Sequence, residues 1–121
     1  MVTVEKLIER AKAVGLPIAN MAFEETEETP VPEPPYLVYL VPHQKNRGAD
    51  TVNNIKETDF SLELYTDKFA TDRENLEEKV EDKVFFDVET DKYVATVESE
   101  NMVQSAWEVN GLIQKKKGAK Q

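Results

Sequence analysis

Few residues in this chain are of a type and spacing that could do chemistry. His43 is the single histidine, set just after Pro42, and the chain has no cysteine. A transition-metal site needs several nitrogen or sulfur ligands brought together, so one imidazole reads as an ordinary surface residue. Asp87 with Glu89, and Glu98 with Glu100, are carboxylates two apart. On a strand each pair would share a face and could act as an acid–base pair or hold a hard cation. With 24 acidic residues in the chain, such spacings also arise by chance. Ser61, Ser99 and Ser105 lack the G-x-S-x-G setting of an activated nucleophile. The four glycines are not clustered, which excludes phosphate-cradling and dinucleotide motifs. Tyr36, Tyr39, Phe60, Tyr65, Phe85, Phe86 and Tyr93 have no basic residues interleaved as a single-strand platform requires, and read as core or near-core. The expectation is a binding or structural protein, not an enzyme, with no cofactor and no metal.

The bulk properties agree with a globular domain. The chain has 121 residues, 40% hydrophobic and 32% charged, enough for one core. Its net charge is −9, from 24 acidic against 15 basic residues. Gripping a phosphate backbone calls for the opposite balance, so general nucleic-acid binding is not expected. No apolar run reaches the roughly 18–20 residues of a membrane span. The start, MVTVEKLIERAK, is charged and helical in period and is not expected to be a signal peptide. Cytoplasmic synthesis is the default expectation.

The elements that must position these residues follow from periodicity. Val4, Leu7, Ile8, Ala11 and Val14 recur at three- and four-residue spacings, predicting a helix over 3–14 with Thr3 as N-cap. Gly15 suits the left-handed turn after it and Pro17 prevents its resumption. A short strand is predicted over 18–23. The stretch 24–35, EETEETPVPEPP, holds five glutamates and four prolines and reads as a solvated, stiff connector or as an acidic arm docking on a neighbouring subunit. Tyr36 to Val41 is apolar on both faces, a strand covered on both sides. Asp59 to Asp67 alternates Phe60, Leu62 and Leu64 with Ser61, Glu63 and Tyr65, a strand with one wet face. Between them, 43–54 reads as a long polar excursion, the place for a partner to touch.

A second helix is predicted over 72–83, with Thr71 and Glu74 as a capping box and Leu76, Val80 and Val84 as a thin apolar stripe. Its run of acidic residues (Glu74, Glu77, Glu78, Glu81, Asp82) reads as a solvated face. Strands are predicted over 85–89, 93–97 and 102–112, the last carrying Val103, Ser105, Trp107 and Val109 on one face. Their short connections imply antiparallel pairing. The fold class is therefore α+β, a mainly antiparallel sheet of about five to seven strands with two helices. One domain spans 1–113, and 114–121 is a basic, flexible tail.

The succession LPIANMAF, an acidic proline-rich link into PPYLVYL, then GAD, ELYTD, a Glu-rich helix and VESENMVQSAWEV resembles a family of small proteins from phages and prophages of Gram-positive bacteria. The resemblance runs from about Leu7 to Leu112 and does not extend to the Lys-rich end or to Asn53-Asn54. It implies a tail-completion protein: a tail terminator or head–tail joining subunit forming a hexameric ring at the head-proximal end of the tail tube. Its partners would be itself, the tail tube protein and the head connector, with DNA only passing through the lumen. It would assemble in the host cytoplasm and reside in the virion tail. Acidic walls are compatible with sliding DNA. On that reading the subunit interface draws on His43, Lys45, Arg47 and Asp50 of the excursion and on Glu24, Glu25, Glu27 and Glu28 of the link. Two alternatives stand beside it. One is an acidic inhibitor or DNA mimic presenting the carboxylates of the second helix; the other is a small enzyme with a carboxylate site.

Overall fold

The computed structural model describes residues 2–23, 30–47 and 55–115. In chain order they form α1 (Val4–Lys12), β1 (Ile18–Asn20), β2 (Tyr36–Arg47), β3 (Ile55–Asp67), α2 (Arg73–Val84), β4 (Asp91–Val97), a 3-10 turn (Glu98–Glu100) and β5 (Met102–Lys115). The strands make one sheet in the order β1-β2-β3-β5-β4, with β1 parallel to β2 and every other pair antiparallel. This is an α+β fold.

Each strand's alternation sorts its side chains to two faces. Leu37 of β2, Phe60, Leu62 and Leu64 of β3, and Trp107 and Val109 of β5 are buried on one face. The apolar stripes of both helices close over it: Val4, Leu7 and Ala11 from α1, and Val80 and Val84 from α2, belong to the same core cluster. Register brings the large residues together, Leu62 opposite Trp107 and Leu37 opposite Leu64. The other face of β2 is also covered. Tyr36 stacks on Tyr65 at 5.2 Å and meets the edge of the Phe23 ring at 5.2 Å.

Helix α1 starts as its sequence requires. The Thr3 hydroxyl accepts a hydrogen bond from the Lys6 amide at 3.1 Å, and Gly15, just past the C-cap Ala13, takes φ +94°. Helix α2 does not start as expected. Its N-cap is Asp72 rather than Thr71, and no side chain caps it.

Four other expectations are corrected. The predicted strand over 85–89 is a turn instead, because tertiary contacts claim it. Phe85 ends α2 and packs 6.1 Å from the Trp107 ring. Arg10 of α1 holds the next residues: it donates to the Val84 carbonyl at 3.1 Å, forms a forked pair with Asp87 at 2.8 and 3.2 Å, and lies 4.3 Å over the Phe86 ring. The strand over 18–23 stops at Asn20, where Met21 turns to φ +68°. The first part of the polar excursion, 43–47, is strand, with Lys45 opposite Glu57 and Arg47 opposite Ile55, and the rest, 48–54, lies outside the described residues. Finally, β5 continues through Gln114 and Lys115, which were expected in the tail. A bulge between Thr58 and Phe60 allows this, with Gly111 at φ +70° donating its amide to the Asp59 carboxylate at 2.9 Å.

Truncating the central strand's core residue, Leu62→Ala, is expected to cost about 2–5 kcal/mol of unfolding free energy. Urea denaturation checks it; a loss under 1 kcal/mol (roughly a surface-type effect) would show that the β3–β5 centre is not the packed core.

Candidate subunit interface

Past the register shift at Leu40, β2, β3 and β5 continue together as a three-stranded arm. His43 to Arg47 pair with Ile55 to Asp59, and Ile55 to Thr58 pair in turn with Leu112 to Lys115. Five residues of strand extend roughly 16 Å. Hydrophobicity does not mark the β2 side of this arm, whose residues are polar and held by ladder hydrogen bonds, whereas Thr58 and Leu112 on the inner strands are buried. From His43 to Asn46 every side chain is exposed.

The arm gathers part of the expected interface. His43 Nδ1 lies 3.4 Å from Asp59 Oδ2. Lys45 is exposed on the same strand two residues on, and Arg47 follows at the end of β2. Asp50 and the link residues Glu24, Glu25, Glu27 and Glu28 lie outside the described residues. The two carboxylate pairs do not form sites. Asp87 is bound to Arg10 in a turn, so it shares no strand face with Glu89, and Glu98 and Glu100 sit in the 3-10 turn. Glu98 pairs with Lys68 at 3.2 Å. Among the described residues no group of three or more His, Cys, Asp or Glu could hold a metal. No helix among them is long and apolar enough to cross a membrane.

The structure also assembles a polar cluster that the sequence reading treated as solvent-facing. Glu77 of α2 is only 5% exposed. Its carboxylate accepts from Lys92 Nζ of β4 at 2.8 Å and from Ser105 Oγ of β5 at 2.5 Å, with Arg73 Nε 3.3 Å away. Glu81, one turn on, meets Lys92 at 3.1 Å and accepts from the Trp107 indole N–H at 3.1 Å. Lys92 thus bridges two helix carboxylates and ties the outermost strand to α2. Part of the signal was present, since Glu77, Val80 and Val84 recur at spacings of three and four and Glu77 therefore shares the apolar face. The register that sets Lys92 opposite Trp107 came only from the structure. Glu74, Glu78 and Asp82 remain exposed.

These contacts set the titration of the groups involved. Burial pushes the Glu77 carboxyl up, but the Lys92 and Ser105 hydrogen bonds, with the charges of Lys92 and Arg73, outweigh it and hold it below the usual range. Burial likewise works against the Lys92 ammonium, and bonds to Glu77 and Glu81 raise it above its ordinary value. The Arg10 hydrogen bond lowers Asp87.

On the opposite face a concavity of about 490 Å³ is lined by residues including Met21, Phe23, Val31, Tyr36, Tyr65 and Met102. The Tyr65 hydroxyl donates to Glu63 at 2.8 Å and accepts from Gln104 at 3.0 Å. Burial, then the Glu63 carboxylate, push it up to about 12.

Comparison with protein-family models and with curated proteins finds no match to this chain.

The pH dependence follows from the signs. Glu77 and Asp87, lowered on folding, contribute stability above their unfolded values (about 4) that is lost as pH falls through the folded ones. Lys92, raised on folding, contributes below about 10.4 and loses it as pH rises through its folded value. Replacing Lys92→Met is expected to cost roughly 1–3 kcal/mol at neutral pH by leaving the buried carboxylate short of a donor. The deficit should narrow as acid protonates Glu77. Urea melts at pH 7 and pH 3 read this; an equal deficit at both would assign Lys92 to packing on Trp107 alone.

Proposed function

We propose that this chain is a structural subunit of a phage tail, a ring-forming protein that caps the head-proximal end of the tail tube, joins tail to head, or does both. It acts by binding copies of itself, the tail tube and the head connector, with no substrate and no cofactor, and DNA passes through its lumen. Assembly takes place in the host cytoplasm and the product is part of the virion. The family resemblance supplies the role. The geometric feature that best supports it is the three-stranded arm, whose β2 residues are exposed from His43 to Asn46 and carry no acidic side chain. An exposed polar strand with no partner strand on its outer edge among the described residues is suited to contact with another chain.

In this assembly Lys45 and Arg47 meet acidic residues of the neighbouring subunit. Reversing both, Lys45→Glu with Arg47→Glu, is expected to abolish ring assembly at low ionic strength and to restore part of it in high salt, where like charges are screened. Assembly unchanged at both ionic strengths would remove these residues from the interface.

The role itself is read by electron microscopy of a lysate whose phage lacks the gene. Overlong tubes identify a terminator, and finished tails beside detached, DNA-filled heads identify a joining protein. Intact virions of normal length would overturn the structural reading.

A further inference from the structure

The sheet has two outer strands of different character. Beyond Tyr39, no described strand pairs with the outer edge of β2, because β1 covers only Leu37 to Tyr39. At the other end, β4 pairs with β5 alone among the described residues. Natural edge strands are normally blunted by charge, proline or brevity. The β4 edge carries none of these over Tyr93-Val94-Ala95-Thr96-Val97. Its one lysine, Lys92, is drawn inward to Glu77 and Glu81. Tyr93 and Val94 are 56% and 50% exposed. Such an edge is a template for another strand.

Charge decides which strand. The ends of β4 are acidic, with Glu89 just before it, Asp91 as its first residue, and Glu98 and Glu100 after it, all exposed. A two-fold antiparallel pairing of β4 with its own copy, centred on Val94, would set Asp91 of one copy beside Val97 and Glu98 of the other at both ends. Like charges brought together in this way oppose pairing. The open length of β2 is the complement. Pro42 and the register shift between Leu40 and His43 interrupt that edge. Beyond them, His43 to Arg47 has no acidic residue and carries His43, Lys45 and Arg47 in a chain whose net charge is −9. It therefore deters a like edge and suits an acidic one.

We propose that the β4 edge of one subunit pairs with the open β2 edge of a second copy of this chain, so that the sheet continues from subunit to subunit. The contact is heterologous, joining two different surfaces, and a repeated contact of that kind closes into a ring or runs on as a filament. It leaves each subunit with one donor edge and one acceptor edge. The proposal rests on the ring-forming reading above and names the surfaces that such a ring uses.

The absence of native cysteine makes the test direct. Full-length Lys45→Cys and Val94→Cys chains are prepared separately, mixed at high concentration, and treated with a short bismaleimide. The expected result is a covalent dimer in the mixture at several times the yield of either variant alone. The double variant should give a ladder of higher multimers. Adding Lys45→Glu contacts is impossible at the labelled position, so charge dependence is read with Arg47→Glu in the Lys45→Cys chain, which should reduce the mixed dimer several-fold.

A dimer formed as readily by Val94→Cys alone would replace the proposal with two-fold β4 pairing. Absence of the mixed dimer, whether light scattering finds monomers or higher species, would overturn it. Tail morphology in the gene-deficient lysate is independent of these outcomes. Abnormal tails without the mixed dimer would leave the tail role standing with a different interface, and the mixed dimer beside normal virions would leave the edge pairing standing without that role.

Discussion

A slip of one residue between β3 and either of its neighbours would turn Phe60, Leu62 and Leu64 out of the core and put Ser61, Glu63 and Tyr65 in their place. Register at β3 is therefore the constraint on which the other elements depend. Leu62 opposite Trp107 and Leu64 opposite Leu37 set the apolar surface that both helices cover. The same register sets Tyr65 opposite Tyr36 on the reverse side, where the rings stack. One strand thus organises both faces, and its first residues, Ile55 to Asp59, carry the arm.

The two helices are attached by different physics. The apolar stripe of α1 is broad, and Arg10 adds a clamp on the turn after α2. The apolar stripe of α2 is thin, and Glu77 and Glu81 supplement it with polar bonds to β4 and β5. A buried carboxylate is costly unless its lone pairs are filled, and here an ammonium, a hydroxyl and a guanidinium surround it. The cluster also has a positional consequence. By drawing Lys92 inward it anchors β4 and removes from that edge the charge that would guard it against pairing.

The contacts that hold β4 also set the character of its outer edge. The outer strand is held from within by Glu77, Glu81 and its ladder to β5, while its exposed side is uncharged between acidic ends. At the far side of the sheet, β1 is too short to cover β2, and the arm beyond it carries the opposite charge. A subunit with unlike edges is suited to directional association, whereas one with two equivalent edges would favour a closed pair.

By itself the sequence determined the class of fold, α1 with its N-cap, the α2 segment, the alternation of β3, the two-sided burial of Tyr36 to Val38 (though not of Val41, which is exposed) and the face shared by Ser105, Trp107 and Val109. These are local properties: periodicity states which residues of one element lie on one side, and a hydroxyl or a glycine states where an element ends. It also set His43, Lys45 and Arg47 in a single short stretch, although that stretch read as a loop. Only the tertiary structure decided that 85–89 is a turn, that the Glu77 carboxylate meets Lys92 and Ser105, that 43–47 is a paired strand, and which strand edges lack a partner among the described residues. Arg10 and Asp87 are 77 residues apart in the chain, and Ser105 is 28 from Glu77. A hydrogen bond or ion pair at such separation depends on where two elements meet in space, and the pattern of either element alone does not contain it.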